Sequence, residues 1–169
     1  MNYKKIDKND FLNFIQEGLL EKLTAVKDKT VVAEKITEST ANQIFEMGGY
    51  PTVCYDDEGN SFVETVNKNV RIGDYLVANL INGKENCYVL KAEKFESLYD
   101  NIEGTSVYRP KGELRTMYRL PNDMNVSFIA PWGSEMKIRG GGVLIEEGDS
   151  FYGINPEEFG ATHTIKSFG

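Results

Sequence analysis

The sequence predicts an α+β fold: N-terminal helices packed on a mostly antiparallel sheet built from two related hairpin-plus-helix units. Three observations carry this expectation. Helical periodicity is confined to the amino-terminal part, short runs rich in Val, Ile, Tyr and Phe alternate with turn residues from Pro51 onward, and the later part of the chain repeats itself. The 169 residues, 40% hydrophobic and 27% charged, suit one domain able to bury a core. Within it the sequence divides into a helical segment at 1–49, a first unit at 50–100 and a second unit at 101–169.

Asp10 can cap a helix whose face is formed by Phe11, Phe14, Ile15, Leu19 and Leu23 at three- and four-residue steps, which predicts a helix from about residue 10 to 23. Lys27 to Thr30 reads as a polar connection and Val31 to Ala33 as a short β-prone stretch. Ser39 to Met47 follows as a second helix, stopped at Gly48-Gly49 because glycine accepts the left-handed conformation that closes a helix. Turns are expected at Asp56-Asp57-Glu58-Gly59-Asn60, Asn82-Gly83 and Glu147-Gly148-Asp149. Two short helices interrupt the strands, Ala92 to Tyr99 and Pro156 to Thr162, the second with Asn155 as cap and Pro156 at its first position.

The repeat aligns Gly73-Asp74-Tyr75-Leu76-Val77, Tyr88-Val89-Leu90, Phe95 and Tyr99 with Gly141-Gly142-Val143-Leu144-Ile145, Tyr152-Gly153-Ile154, Phe159 and His163. A lone hairpin is marginal in water, so two such units are expected to share one core. The first unit, with Asp57-Glu58-Gly59 and Glu64-Thr65-Val66-Asn67 ahead of it, resembles a module of uncharacterised bacterial and phage proteins. That module has a Gly-Asp-aromatic strand, a Tyr-x-Val strand and a Phe-x-x-x-Tyr helix. The stretch from Ala130-Pro131-Trp132-Gly133 to Phe159 resembles a companion copy. The chain departs from the pattern at Ile72, where a proline is usual, at Gly142 in place of the aspartate, and at His163 in place of the last tyrosine. The resemblance implies no activity. It suggests that the second unit has lost or changed the role of the turn aspartate.

A formal charge of −7 repels phosphate backbones and anionic membranes, so general nucleic-acid binding and membrane association are not expected. The first residues lack the apolar stretch of about ten residues that a secretory signal needs, which points to a cytoplasmic protein. There Cys54 and Cys87 are expected as buried thiols. No catalytic constellation, cofactor motif or metal-ligand spacing is evident; zinc held by imidazole and thiolate would need more than one histidine and two cysteines. His163 stands where the first unit has an aromatic, which leaves it a packing role or, with a cysteine, a hydrolytic one. Asp56 to Asn60 reads as a turn, with calcium as the alternative.

The basic segment between the units offers the one candidate site: Tyr108, Arg109, Arg115, Tyr118 and Arg119, with Trp132 nearby in sequence. On a strand Arg115 and Arg119 share a face with Met117. Two guanidinium forks beside aromatics suit a phosphate, carboxylate or nucleobase; the same face could equally be solvated and paired with the surplus Asp and Glu. The sequence thus predicts a non-enzymatic binding or protein-interaction module with a protein partner, or, as the alternative, a binder, even a hydrolase, of a small anionic or nucleotide ligand.

Overall fold

The computed structural model describes residues 2–169. The first segment supplies strand β1 (Lys4–Lys5), helix α1 (Lys8–Gln16), strands β2 (Glu21–Lys27) and β3 (Val31–Lys35), and helix α2 (Glu38–Glu46). Hairpin β4 (Tyr50–Tyr55) with β5 (Ser61–Asn67) and hairpin β6 (Tyr75–Ile81) with β7 (Lys84–Leu90) come next, then helix α3 (Ala92–Leu98) and strand β8 (Tyr99–Asn101). Strands β9 (Val107–Pro110) and β10 (Arg115–Arg119) lead into β11 (Val126–Ile129), β12 (Glu135–Ile138), β13 (Val143–Glu147) and β14 (Ser150–Ile154). Helix α4 (Pro156–Thr162) and strand β15 (His163–Phe168) complete the chain.

The expected α+β class is corrected by these elements. The protein is mostly β, 46% strand and 19% helix, in three five-stranded sheets with four short helices. The predicted helix over 10–23 ends at Gln16, because Gly18 takes a left-handed conformation (φ 74°) and the chain turns into β2. Leu19 and Leu23 continue a helical spacing in sequence, yet Leu23 and Ala25 are fully buried on alternate positions of a strand. The burial available between two neighbouring strands decided the conformation. The segment 1–49 is therefore no helical layer: its strands enter all three sheets.

Two of the sheets follow one plan. In the order β7-β6-β3-β9-β8, a hairpin is followed by two further strands and by the strand that leaves the short helix. The order β14-β13-β10-β2-β15 repeats this with the second hairpin and helix. Because β2 runs straight into β3, and β9 into β10, each connection carries the chain from one sheet to the other. Equivalent hydrogen bonds seal both sheets: Asp28 N donates to Thr162 O at 3.1 Å, and Lys111 N donates to Leu98 O at 2.9 Å. The third sheet, β1-β11-β12-β5-β4, joins hairpin β4/β5 to hairpin β11/β12, with Thr65 facing Met136. Phe11 of α1 stacks on Phe151 at 4.7 Å, and Phe128 on Phe151 at 4.2 Å, filling the core between this sheet and β13/β14.

The turn aspartate of the first unit acts on its backbone. Asp74 Oδ2 accepts from Arg71 N at 2.8 Å and from Lys91 Nζ at 2.9 Å. In the second unit Gly142 takes its place, and a Cβ there would lie 2.6 Å from Ile138 Cγ2. Gly140 is tighter still: a Cβ would meet Asn122 O at 2.2 Å, because the Pro121-Asn122 backbone passes against this turn. Gly140→Ala is accordingly expected to destabilise the fold by about 1–3 kcal/mol, the usual cost of overpacking a rigid neighbour. Chemical unfolding would measure it, and a midpoint equal to wild type would mean that the Asn122 loop yields freely.

Candidate functional site

The repeat brings its equivalent positions around one cavity of about 340 Å³. In each unit the phenylalanine of the short helix, Phe95 or Phe159, folds onto its own sheet and is buried. The residue just before it, Lys94 or Glu158, is left facing the opposite unit across the cavity. Tyr88 and Tyr152 from the hairpins, and Tyr99 and His163 from the strands after the helices, complete three equivalent pairs on the same wall. Lys27 of β2, Arg115 and Met117 of β10, Glu64 and Thr65 of β5, and Trp132 close the remaining sides.

Two cations in this wall are held by phenols alone. Lys27 Nζ donates to Tyr88 OH at 3.1 Å and sits 5.3 Å above the Tyr99 ring, and Arg115 Nη1 donates to Tyr152 OH at 3.2 Å. Among the described residues, neither has a carboxylate oxygen within 4.0 Å, whereas Lys94 pairs with Glu147 of the other unit. Burial pushes the phenols of Tyr88, Tyr99 and Tyr152 above the ordinary range, so they remain protonated at neutral pH. An anion entering here meets two cations that, among the described residues, form no ion pair within 4.0 Å.

The same cavity is also lined by acidic groups. Glu64, 5% exposed, accepts from Asn155 Nδ2 at 2.6 Å and from Cys54 Sγ at 3.1 Å. Glu158 faces it, the Cys54 sulfur and one oxygen of each carboxylate lying within 4.8 Å of one another. Burial pushes Glu158 up to about 8; the neighbouring Glu64 charge adds to the rise and Lys27 opposes it. Burial likewise holds Glu64 above the carboxylate range despite its two donors, and burial followed by the Glu64 charge raises the Cys54 thiol. Glu64 is buried and Glu158 half-buried, and two carboxyls this close disfavour each other's ionisation. His163 hydrogen-bonds Thr162 Oγ1 at 2.8 Å and stacks on Phe159 at 5.3 Å, and burial brings it down to about 4, so its imidazole is neutral.

Of the six residues singled out from the sequence, Arg115 and Trp132 meet in this cavity; the Trp132 indole donates to Thr65 Oγ1 at 3.0 Å. The other four do not join them. Tyr108 packs edge-on against Phe95 at 4.8 Å in the core of the first unit, and Tyr118 against Phe11 at 5.8 Å. Arg109 is exposed on β9 opposite Asp100, and Arg119 is bound by Glu21 at 2.7 Å in a separate groove. The Asp56 loop is a turn: Asp56 Oδ1 accepts from Glu58 N at 2.9 Å and from Asn60 N at 2.8 Å. Both cysteines are free, Cys54 buried as expected and Cys87 only half-buried. The cavity residues missed in the sequence are Lys27, Glu64, Tyr88, Lys94, Tyr99, Tyr152 and Glu158. Tyr88, Tyr99 and Tyr152 stood in the repeat itself, and a comparison of its non-identical positions would have exposed the Lys94 and Glu158 exchange. Nothing local marked Lys27 or Glu64, which strand pairing alone brings in.

The buried titrating groups set opposite pH slopes. Glu158 holds its proton up to about pH 8 when folded and ionises at 4.5 when unfolded, so stability is lost as pH rises from 4.5 through about 8. His163 protonates at about 4 when folded and 6.5 when unfolded, so stability is lost as pH falls from 6.5 through about 4. Glu158→Gln is expected to remove the alkaline loss and to melt above wild type once pH exceeds about 8. Melting curves taken across the pH range test this, and parallel curves for the two proteins would refute an enclosed Glu158 carboxyl. Compared with known protein families, curated proteins and solved structures, the chain matches none.

Proposed function

We propose that the protein is a binding module that takes a small anionic molecule into the cavity between its two units. The supporting observation is the pair Lys27 and Arg115, half-buried in the cavity wall and partnered only by tyrosine hydroxyls. A phosphate or carboxylate there exchanges the weak phenol contacts for charge-assisted hydrogen bonds, about twice as strong as neutral ones. The rings of Tyr88, Tyr99, Tyr152 and Trp132 offer apolar area to the body of the ligand. The cavity admits a small molecule and, in a chain of net charge −7, does not favour a long polyanion. No described helix is long and apolar enough to cross a membrane. We take the cytoplasm as its compartment, a reading that the free thiols of Cys54 and Cys87 support.

A protein-interaction role has its own support elsewhere: Phe45 is 85% exposed and Met47 62% at the end of α2. The two readings separate in one thermal-shift series with inorganic phosphate, nucleotides and sugar phosphates. A bound member supplied at 100 times its dissociation constant adds about 2.7 kcal/mol of stability. Arg115→Ala and Lys27→Met are expected to abolish the shift, while Phe45→Ser leaves it intact. The anion reading fails if no member shifts the midpoint or if the shift survives both cavity substitutions.

A further inference from the structure

We propose that Cys54, Glu64 and Glu158 form a binding site for a divalent transition-metal ion, zinc being the one their mixed sulfur and oxygen donors suit best. The cluster lies where the ligand cavity meets a second cavity of about 330 Å³, and Glu158 lines both. One sulfur and two carboxylate oxygens lie mutually within 4.8 Å, and small side-chain shifts bring all three onto an ion whose bonds are about 2.0–2.3 Å long. Three elements that are distant in sequence supply them: β4 gives Cys54, β5 gives Glu64 and α4 gives Glu158. The count of histidines and cysteines that set zinc aside in the sequence omitted carboxylates, which are ordinary zinc ligands.

Asn86 provides an observation independent of the acidic pair. It is 3% exposed, it lines the second cavity beside Cys54 and Glu158, and its Oδ1 has no hydrogen-bond partner. An unpartnered buried carbonyl oxygen is costly, and a cation beside it removes that cost. The other half of the same amide supports the sulfur: Asn86 Nδ2 donates to Val53 O at 3.2 Å and lies 3.6 Å from Cys54 Sγ. Asn155 does the corresponding work for Glu64. Its Nδ2 donates to the carboxylate while its own Oδ1 is fixed by Arg139 N at 2.9 Å, so the oxygen is oriented before any ion arrives.

The charge balance has the same sense. Among the described residues no lysine or arginine nitrogen lies within 4.0 Å of Glu64 or Glu158, so no ion pair inside the cluster competes with an incoming cation. Cys54 is a thiol donating to Glu64, so its coordination as a thiolate releases that proton to solvent. The ion would then stand at the margin of the cavity that takes the anion, with its remaining coordination position filled by water. The site is separate from Lys27 and Arg115, and metal alone tests it.

Chelator-treated full-length protein titrated with Zn²⁺ by calorimetry, and with Co²⁺ by absorption, decides the matter. The expected result is one ion per chain, protons released on binding, and a thiolate-to-cobalt charge-transfer band with the visible spectrum of a four-coordinate ion. Cys54→Ser should abolish the charge-transfer band, and Glu64→Gln or Glu158→Gln should weaken Zn²⁺ roughly tenfold or more, since even outer partners are worth that much. Arg115→Ala should leave both titrations unchanged, which keeps this result distinct from the fate of the anion reading. Absence of stoichiometric binding to the wild type would overturn the proposal. So would a band that persists in Cys54→Ser, or Zn²⁺ affinity unaltered in Glu158→Gln, the variant expected to remain folded and to gain stability at alkaline pH.

Discussion

Everything in this fold depends on the exchange of strands between its two halves. β2 pairs with β10 and β15 and then continues into β3, which pairs with β6 and β9. β9 makes the reverse journey, pairing with β3 and β8 before it becomes β10. Neither five-stranded sheet is complete without a strand that arrives directly from the other, so neither half can keep its ladder while its partner is open. An unpaired strand edge leaves a row of unsatisfied backbone groups, which is the penalty each half avoids by lending a strand. The third sheet adds a second bond between the halves, through Thr65 and Met136.

The same constraint creates the cavity. Two related hairpin-plus-helix segments placed face to face bring equivalent residues together, and a large ring from each at Tyr88 and Tyr152 keeps the walls apart. What makes the space chemically useful is the departure from equivalence. A symmetric cavity would carry two lysines or two glutamates at the α3 and α4 positions, and like charges across a low-dielectric gap repel. With Lys94 in one unit and Glu158 in the other, the cavity becomes polar along its length. Lys94 is neutralised by Glu147, while Glu158 is turned toward Glu64 and Cys54. Among the described residues, Lys27 and Arg115 are left without a carboxylate oxygen within 4.0 Å.

Much of this architecture was written locally, and the parts that were not share a physical cause. The hairpins, the two short helices and the second long helix follow from turn residues, caps and periodicity, which act within a few positions. The class failed because residues 19–27 satisfy two periods at once: Leu19 and Leu23 fit a helix, and Leu23 and Ala25 fit a strand. Only the neighbours β10 and β15, more than eighty residues away in the chain, decide between them. The site shows the same division. Arg115 and Trp132 were visible as rare residue types in a suggestive segment. Tyr108, Tyr118, Arg109 and Arg119 share that segment, yet strand alternation and register send them to two cores, to solvent and to a separate ion pair. Lys27 and Glu64 had no local signature, because a polar residue on a strand looks the same whether its face meets water or another unit.

The difference between the two units gives a physical account of why the acidic cluster lies where it does. In the first unit Asp74 and Lys91 neutralise each other at the turn before the hairpin, a self-contained arrangement that asks nothing of the second unit. At the corresponding places the second unit has Gly142 and Asn155. With glycine in place of the aspartate, a lysine at the position of Asn155 would be an unpaired charge at a site only 1% exposed. An asparagine is neutral and carries both a donor and an acceptor. It can therefore hold the Arg139 backbone with its oxygen and reach across to Glu64 with its nitrogen. Glu64, lacking a cation within ion-pair reach, depends on that single amide and the Cys54 thiol for its place in the core. A buried carboxylate anchored by neutral donors alone is the state that a proton or a metal ion can alter most. Without an ion pair of its own, the cluster's charge is open to whatever cation the solution supplies.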